Sequence, residues 1–179
     1  MTTEEFYKTI YPLGKPLAIF IRHKGKEPII KKGVIDKLLL RTEIEQASIN
    51  AKHVLKAENG KTKFTTSWIH LAWSKKCKQQ IGWELMAKSI IASDYSYFAI
   101  RTIAHTSYNS KGKITGTIAD EANHLKGVAD MLEDVFYEND KVVMFSQSEY
   151  SEEVKPYDEF GKPLLTLEVY SVRIKDDKK

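Results

Sequence analysis

The sequence predicts an α+β fold, a mixed or mainly antiparallel sheet with helices packed on one face. Three observations lead there. Residues 95–107, 141–150 and 164–174 are rich in β-branched and aromatic side chains, as strands are. Residues 118–136 carry apolar side chains at helical spacing on one arc and polar ones on the other. At 179 residues the chain suits one domain with a real core.

Each element can be justified in order. Pro16 to Arg22 reads as a first strand after the Gly14/Pro16 break. Residues 24–36 hold Lys, Gly and Pro and read as a loop or exposed hairpin. Residues 37–57 read as a helix with imperfect apolar spacing, and Asn59-Gly60 as a turn. Phe64 to Trp73 reads as extended. Residues 75–92 read as a helix with Ile81, Leu85, Met86 and Ile90 near one face. Its lysines would then sit in a first turn, where they oppose the helix dipole. Strand 95–107, a turn over 108–116 and helix 118–136 follow. Two strands, 141–150 and 164–174, close the chain around a 156–163 loop, and the last five residues read as a frayed tail.

Composition excludes several classes. Hydrophobic content of 42% and charged content of 29% are those of a globular protein, so wholesale disorder is excluded. One cysteine, Cys77, can form neither an internal disulfide nor a thiolate metal site, so the expected compartment is cytoplasmic. Lys75, Lys76 and Lys78 beside it could lower its pKa, although an ordinary half-buried thiol is the simpler reading. The acidic N-terminus has no secretory h-region, and no apolar run approaches the roughly 18 residues that cross a bilayer. None of the five histidines stands in a zinc-hydrolase spacing, and there is no P-loop or G-x-G-x-x-G.

Charge is unevenly placed. Residues 1–119 hold 20 Lys+Arg against 9 Asp+Glu, a net of +11, and residues 120–179 hold 8 against 15, a net of −7. A basic majority around an acidic remainder suits a polyanion-binding surface that surrounds carboxylates, or a merely solvated surface. Trp68, Trp73, Trp83 and Tyr108 lie among lysines, where they can stack on unpaired bases or fill a core.

The chemistry concentrates in residues 118–140. On a helical wheel Asp120, Asn123, Lys126, Asp130 and Asp134 share one arc, opposite Leu125, Val128, Met131, Leu132, Val135 and Phe136. Asp130 and Asp134 are four apart, a like-charge spacing that a lysine from elsewhere or a divalent cation would relieve. Asp140 follows a short turn and is expected to swing back toward the helix start. An all-oxygen carboxylate set selects Mg²⁺ or Mn²⁺ over zinc. A plain solvated acidic face accounts for the same wheel.

The spacing Asp120-x-x-Asn123-x-x-Lys126-x-x-x-Asp130-x-Leu132, followed by Asp140-x-Val142, resembles the RusA-type Holliday junction resolvases. Their pattern is D-x-D-N-x-x-K-x-x-x-D-x-L on a helix, with a further aspartate in a D-D-x-x-V segment. The resemblance covers about residues 74–174, and residues 24–63 would be an inserted arm near the N-terminus. It implies a Mg²⁺-dependent endonuclease that cuts four-way junctions and other branched DNA in recombination and repair, acting as a homodimer. Asp120 and Asp140 match metal-binding aspartates, and Glu121 is the neighbouring substitute ligand. Lys126 matches the lysine that assists phosphate chemistry. Asn123 matches the motif asparagine, and Asp130 a supporting helix aspartate. Lys75, Lys76, Lys78, Lys111 and Lys113 would grip the DNA backbone. Ala122 stands where the family has a second aspartate, Asn139 replaces the first of its aspartate pair, and the spacing is one residue shorter. Two alternatives stay open: a DNA-binding relative without cleavage, and a protein–protein inhibitor module that uses the acidic stripe.

Overall fold

The computed structural model describes residues 12–21, 25–46, 53–108, 111–115, 121–155 and 163–175. Their elements are β1 (Pro16–Ile21), β2 (Ile29–Glu45), β3 (His53–Glu58), β4 (Lys61–Thr66), α1 (Trp68–Ala87), β5 (Phe98–Tyr108), β6 (Ile114–Thr115), α2 (Glu121–Leu132), β7 (Val143–Val154) and β8 (Leu164–Ile174). Short 3₁₀ turns at Ala92–Asp94 and Asp140–Val142 precede β5 and β7. The mixed six-stranded sheet runs β1-β2-β8-β5, with β6 and β7 both pairing β5. All its pairs are antiparallel except β5–β7, which are parallel and joined through α2. This is the α+β architecture the sequence predicts. No helix among the described residues is long and apolar enough to cross a membrane.

β8 is buried from Leu164 to Val172 because it lies between β2 and β5. Its alternate side chains serve two cores. Leu165, Leu167 and Val169 meet Trp73, Cys77, Ile81 and Leu85 of α1 and Val128, Met131 and Leu132 of α2. Both helices therefore cover one face. On the other face Tyr170 and Val172 pack with Ile19, Ile35 and Ala99, beside Met144 and Phe145. β1 closes that face by approaching β7, where the Lys15 ammonium stands 4.2 Å from the Phe145 ring centroid.

Among the described residues of 37–57, which are 37–46 and 53–57, none is helical. β2 runs 17 residues and pairs with β8 from Gly33 to Glu45, with register shifts between Ile35 and Lys37 and between Leu38 and Leu40. The segment also carries a period of two, and Leu40, Thr42 and Ile44 oppose Val169, Leu167 and Leu165 on the helix-covered face. A long partner strand outweighs the weak helical preference. The arm expected over residues 24–63 is corrected accordingly. β2 is a sheet strand, and β3–β4 alone form a separate two-stranded hairpin.

The first helix begins earlier than its lysines suggested. Ser67 caps it by accepting from the His70 amide at 3.2 Å, so Trp68 to Trp73 is helical rather than extended. Lys75, Lys76 and Lys78 thus fall beyond the first turn, and the dipole conflict disappears. The helix ends at Ala87 rather than 92. Ser89 takes a left-handed φ of 52°, its amide bonds the Met86 carbonyl, and the Ile90 amide bonds that of Leu85. Met86, expected on the buried face, is exposed.

The second face holds a buried ionic network. Arg101 is fully enclosed, and its Nε and Nη2 donate to the two oxygens of Glu149 at 2.8 and 2.9 Å. Its Nη1 donates to Glu168 Oε2 at 3.0 Å, which also accepts from the Tyr170 hydroxyl at 2.6 Å. Arg41 Nε stands 3.6 Å from Glu168 Oε1. Burial opposes the Arg101 charge, but hydrogen bonds and charge from Glu149 and Glu168 outweigh it and push the pKa up.

His105 is buried nearby, its Nε2 2.8 Å from Thr166 Oγ1. Burial first, then the Lys155 charge, hold its pKa below the ordinary 6.5, against the pull of Glu153 and Glu43. The unfolded chain therefore takes up a proton near pH 6.5 that the folded chain resists. Stability is expected to fall as pH drops below about 6.5, by at most about 1.4 kcal/mol per unit. Urea midpoints from pH 8 to 5 for the parent and His105→Asn check this. Equal slopes in the two proteins would exclude His105 as the source.

Candidate metal centre

A helix that ends in acids is unfavourable by itself, since its C-terminus carries the negative end of the dipole. α2 ends this way, with no basic residue in its last turn. It stops at Leu132, the Phe136 amide bonds the Leu132 carbonyl, and Asp134 turns left-handed with φ 67°. The Asp134 amide bonds the Tyr137 carbonyl at 2.8 Å and closes the turn. Asn139 then caps the 3₁₀ turn that begins at Asp140, accepting from the Lys141 amide.

These turns bring Asp130, Glu133 and Asp140 together, with one carboxylate oxygen from each within 4.8 Å of the others. Asp130 and Glu133 are partly buried and Asp140 is exposed. Tyr137 is buried behind them and donates to the Ala129 carbonyl at 2.9 Å. Burial, then the charges of Glu133, Asp140 and Asp130, push its phenol well above the ordinary range. A three-carboxylate group of this kind can hold a metal ion.

Neither a family model nor a curated protein matches the chain. The site is therefore read from its own residues.

The structure gathers some of the expected residues and separates others. Asp140 joins the end of α2, not its start, because the 133–139 turn is compact and anchored by buried Phe136 and Tyr137. Asp130, expected in a supporting role, is a member of the group. Asp120 lies outside the described residues, and α2 carries Glu121 and Asn123 at its opposite end, about 13 Å and about 10 Å along the axis from Asp130 at about 1.5 Å per residue. Lys126 is exposed one turn before Asp130, the i, i+4 spacing at which opposite charges meet. Lys111 and Lys113 are exposed beyond the Tyr108 end of β5, whereas Phe98 at its other end packs on Phe136 and Tyr137 of the acidic turn. The length of β5, about 30 Å, separates them.

Asp134 leaves the acidic stripe. Its left-handed backbone turns it to Lys78, which bonds it at 3.1 Å, so a lysine relieves the Asp130–Asp134 repulsion. Lys76 is paired with Glu45 at 3.4 Å. These bonds occupy two lysines expected to grip DNA, while Lys75 is exposed. Trp73 is core and donates to the Glu45 carbonyl at 2.7 Å, so it cannot stack on bases. Cys77 is buried, and burial aided by Glu45 pushes its thiol up to about 12 against the weaker effect of Lys76. It is a core thiol rather than a nucleophile.

Glu133 was missed by the sequence reading. Its signal was faint: it is i+3 from Asp130, and the wheel assumed a helix running on to residue 136.

Proposed function

We propose that the chain is a Mg²⁺- or Mn²⁺-dependent endonuclease acting on branched DNA, in the manner of the RusA-type resolvases its motif resembles. The observation that carries this reading is the convergence of Asp130, Glu133 and Asp140 at the end of the motif helix. All donors are oxygens, which fits a hard divalent cation. When bound, the ion supplies charge neutralisation at the scissile phosphate and activation of water. Lys126 and exposed Lys141 flank the acids, where they would hold the phosphate. Lys111 and Lys113, about 30 Å away, are spaced to hold an arm roughly one duplex turn from the cut. Asp120 is not among the ligands in this reading, since its neighbour Glu121 stands about 13 Å along α2 from Asp130. Resolution of a junction takes two symmetric nicks, so the reading includes two copies acting together.

Ala122 favours one alternative, a relative that binds junctions without cutting them. Labelled four-way junction and linear duplex, each with Mg²⁺, Mn²⁺ or EDTA, separate the two. The expected result is paired nicks on the junction alone, abolished by EDTA. Salt-sensitive junction binding with no product in either metal would remove catalysis, and failure to bind DNA at any salt would remove the whole reading.

A further inference from the structure

We infer that the outer face of α1 is a stacking platform for the unpaired bases of single-stranded DNA, and that it lies beside the acidic group. The side of α1 that carries Trp73, Cys77, Ile81 and Leu85 meets the core. At about 100° per residue, Trp68, Leu71, Lys75, Gly82, Trp83 and Met86 fall within roughly a third of the circumference on the other side. Trp68 is 77% exposed, Trp83 65% and Met86 78%. Large aromatic rings supply much of the apolar area that cores and interfaces bury, so two of them in solvent on one helix face point to a ligand.

Charge and spacing select that ligand. Lys75 is exposed between the two tryptophans, about 10 Å along the axis from Trp68 and about 12 Å from Trp83. The one acid of α1, Glu84, is turned to Thr42 and Gln80 at the sheet, so no carboxylate of this helix stands on its outer face to repel phosphate. An aromatic face with positive charge and no negative one suits a polyanion whose π-faces are bare, and unpaired bases meet that description. A duplex hides its base faces in the stack. The tryptophans stand about 22 Å apart along the axis, the length of about six nucleotides at about 3.4 Å each.

Gly82 supplies an independent observation. A glycine within a helix destabilises it by about 1 kcal/mol relative to alanine. A Cβ at Gly82 would meet nothing within 4 Å, so packing within the chain gives no reason for it. Bare backbone beside Trp83 lets a base or sugar approach the helix closely. The same place borders the acids. Lys78, one turn before Gly82, bonds Asp134 at 3.1 Å, and Asp134 directly follows Glu133 of the acidic group. A strand on the platform is thereby held next to the candidate metal centre, as an unpaired arm or flap at a branch requires.

The inference rests on the nuclease reading for the class of ligand, not for metal or cleavage, and its test runs in EDTA. Oligothymidylate about ten nucleotides long is expected to quench the tryptophan fluorescence of the full chain saturably, and a duplex of equal length to quench it little. Trp73 is buried, so Trp68 and Trp83 report. Anisotropy of the labelled oligonucleotide measures the variants. Trp68→Ala and Trp83→Ala should each weaken binding about tenfold with unchanged melting, since both side chains are exposed. Gly82→Leu should weaken it while keeping or raising the helical signal. Lys75→Gln should lower the slope of log affinity against log salt by about 0.7. A labelled four-way junction titrated in parallel separates the outcomes. A junction that binds while the oligonucleotide draws no response at about 0.1 mM overturns the inference and leaves the nuclease reading standing. Binding of neither DNA removes both. Oligonucleotide affinity that neither tryptophan variant changes places the strand elsewhere and overturns the inference. So do tryptophans already shielded from acrylamide in the DNA-free chain, which would show that the face is covered.

Discussion

Replacing Arg101 by methionine is expected to destabilise the folded chain by about 3–5 kcal/mol. The guanidinium is fully enclosed and bridges Glu149 and Glu168, which come from the two strands flanking β5. Without it, Glu168 keeps the Tyr170 hydroxyl and the more distant Arg41, and a buried carboxylate loses its main countercharge. For a chain of this size the melting temperature should fall by roughly 6–20 °C. Adding Glu149→Leu and Glu168→Leu should recover much of the loss, because an apolar set avoids desolvating charge. Urea and thermal unfolding of the three proteins check this. A loss under about 1 kcal/mol for Arg101→Met would show that the ion pairs merely offset their own desolvation.

Neutralising the acidic group should act in opposite directions with and without metal. Asp130 and Asp140, with Glu133, place like charges at the negative end of the α2 dipole. In EDTA, Asp130→Asn with Asp140→Asn should therefore stabilise the chain, by about 0.3–1 kcal/mol for each charge removed. In Mg²⁺ the order should reverse. A cation at a hundred times its dissociation constant adds about 2.7 kcal/mol to the parent, a rise of roughly 5–11 °C, and nothing to the variant. Junction cleavage should fall by at least about a hundredfold, the scale expected when metal-assisted charge stabilisation is lost. Melting curves in EDTA and in Mg²⁺ read the first effect, and initial cleavage rates read the second. A parent whose melting ignores Mg²⁺ and Mn²⁺ would remove the metal centre, whatever the DNA binding shows.

The sequence by itself determined the elements whose burial is one-sided or complete. β5 and β8 announce themselves by β-branched and aromatic content, and the apolar arc of α2 is clean because one side packs and the other is wet. The α+β class follows from these. It also singled out Asp130 and Asp140, two of the three acids that the fold brings together.

Tertiary structure decided what depends on a distant partner. Leu38 to Glu45 fit either period, and pairing with β8 makes them strand. Trp68 to Trp73 show no helical stripe because both faces of α1 are apolar, and only the cap at Ser67 marks its start. Glu133 enters the acidic group, and Asp134 leaves it for Lys78, because α2 breaks at Leu132 instead of running to residue 136. Arg101 and Glu168 lie 67 residues apart, and nothing local marks either as half of a pair. Their register across β5 and β8 brings them together, because a sheet joins residues by strand order rather than by distance along the chain.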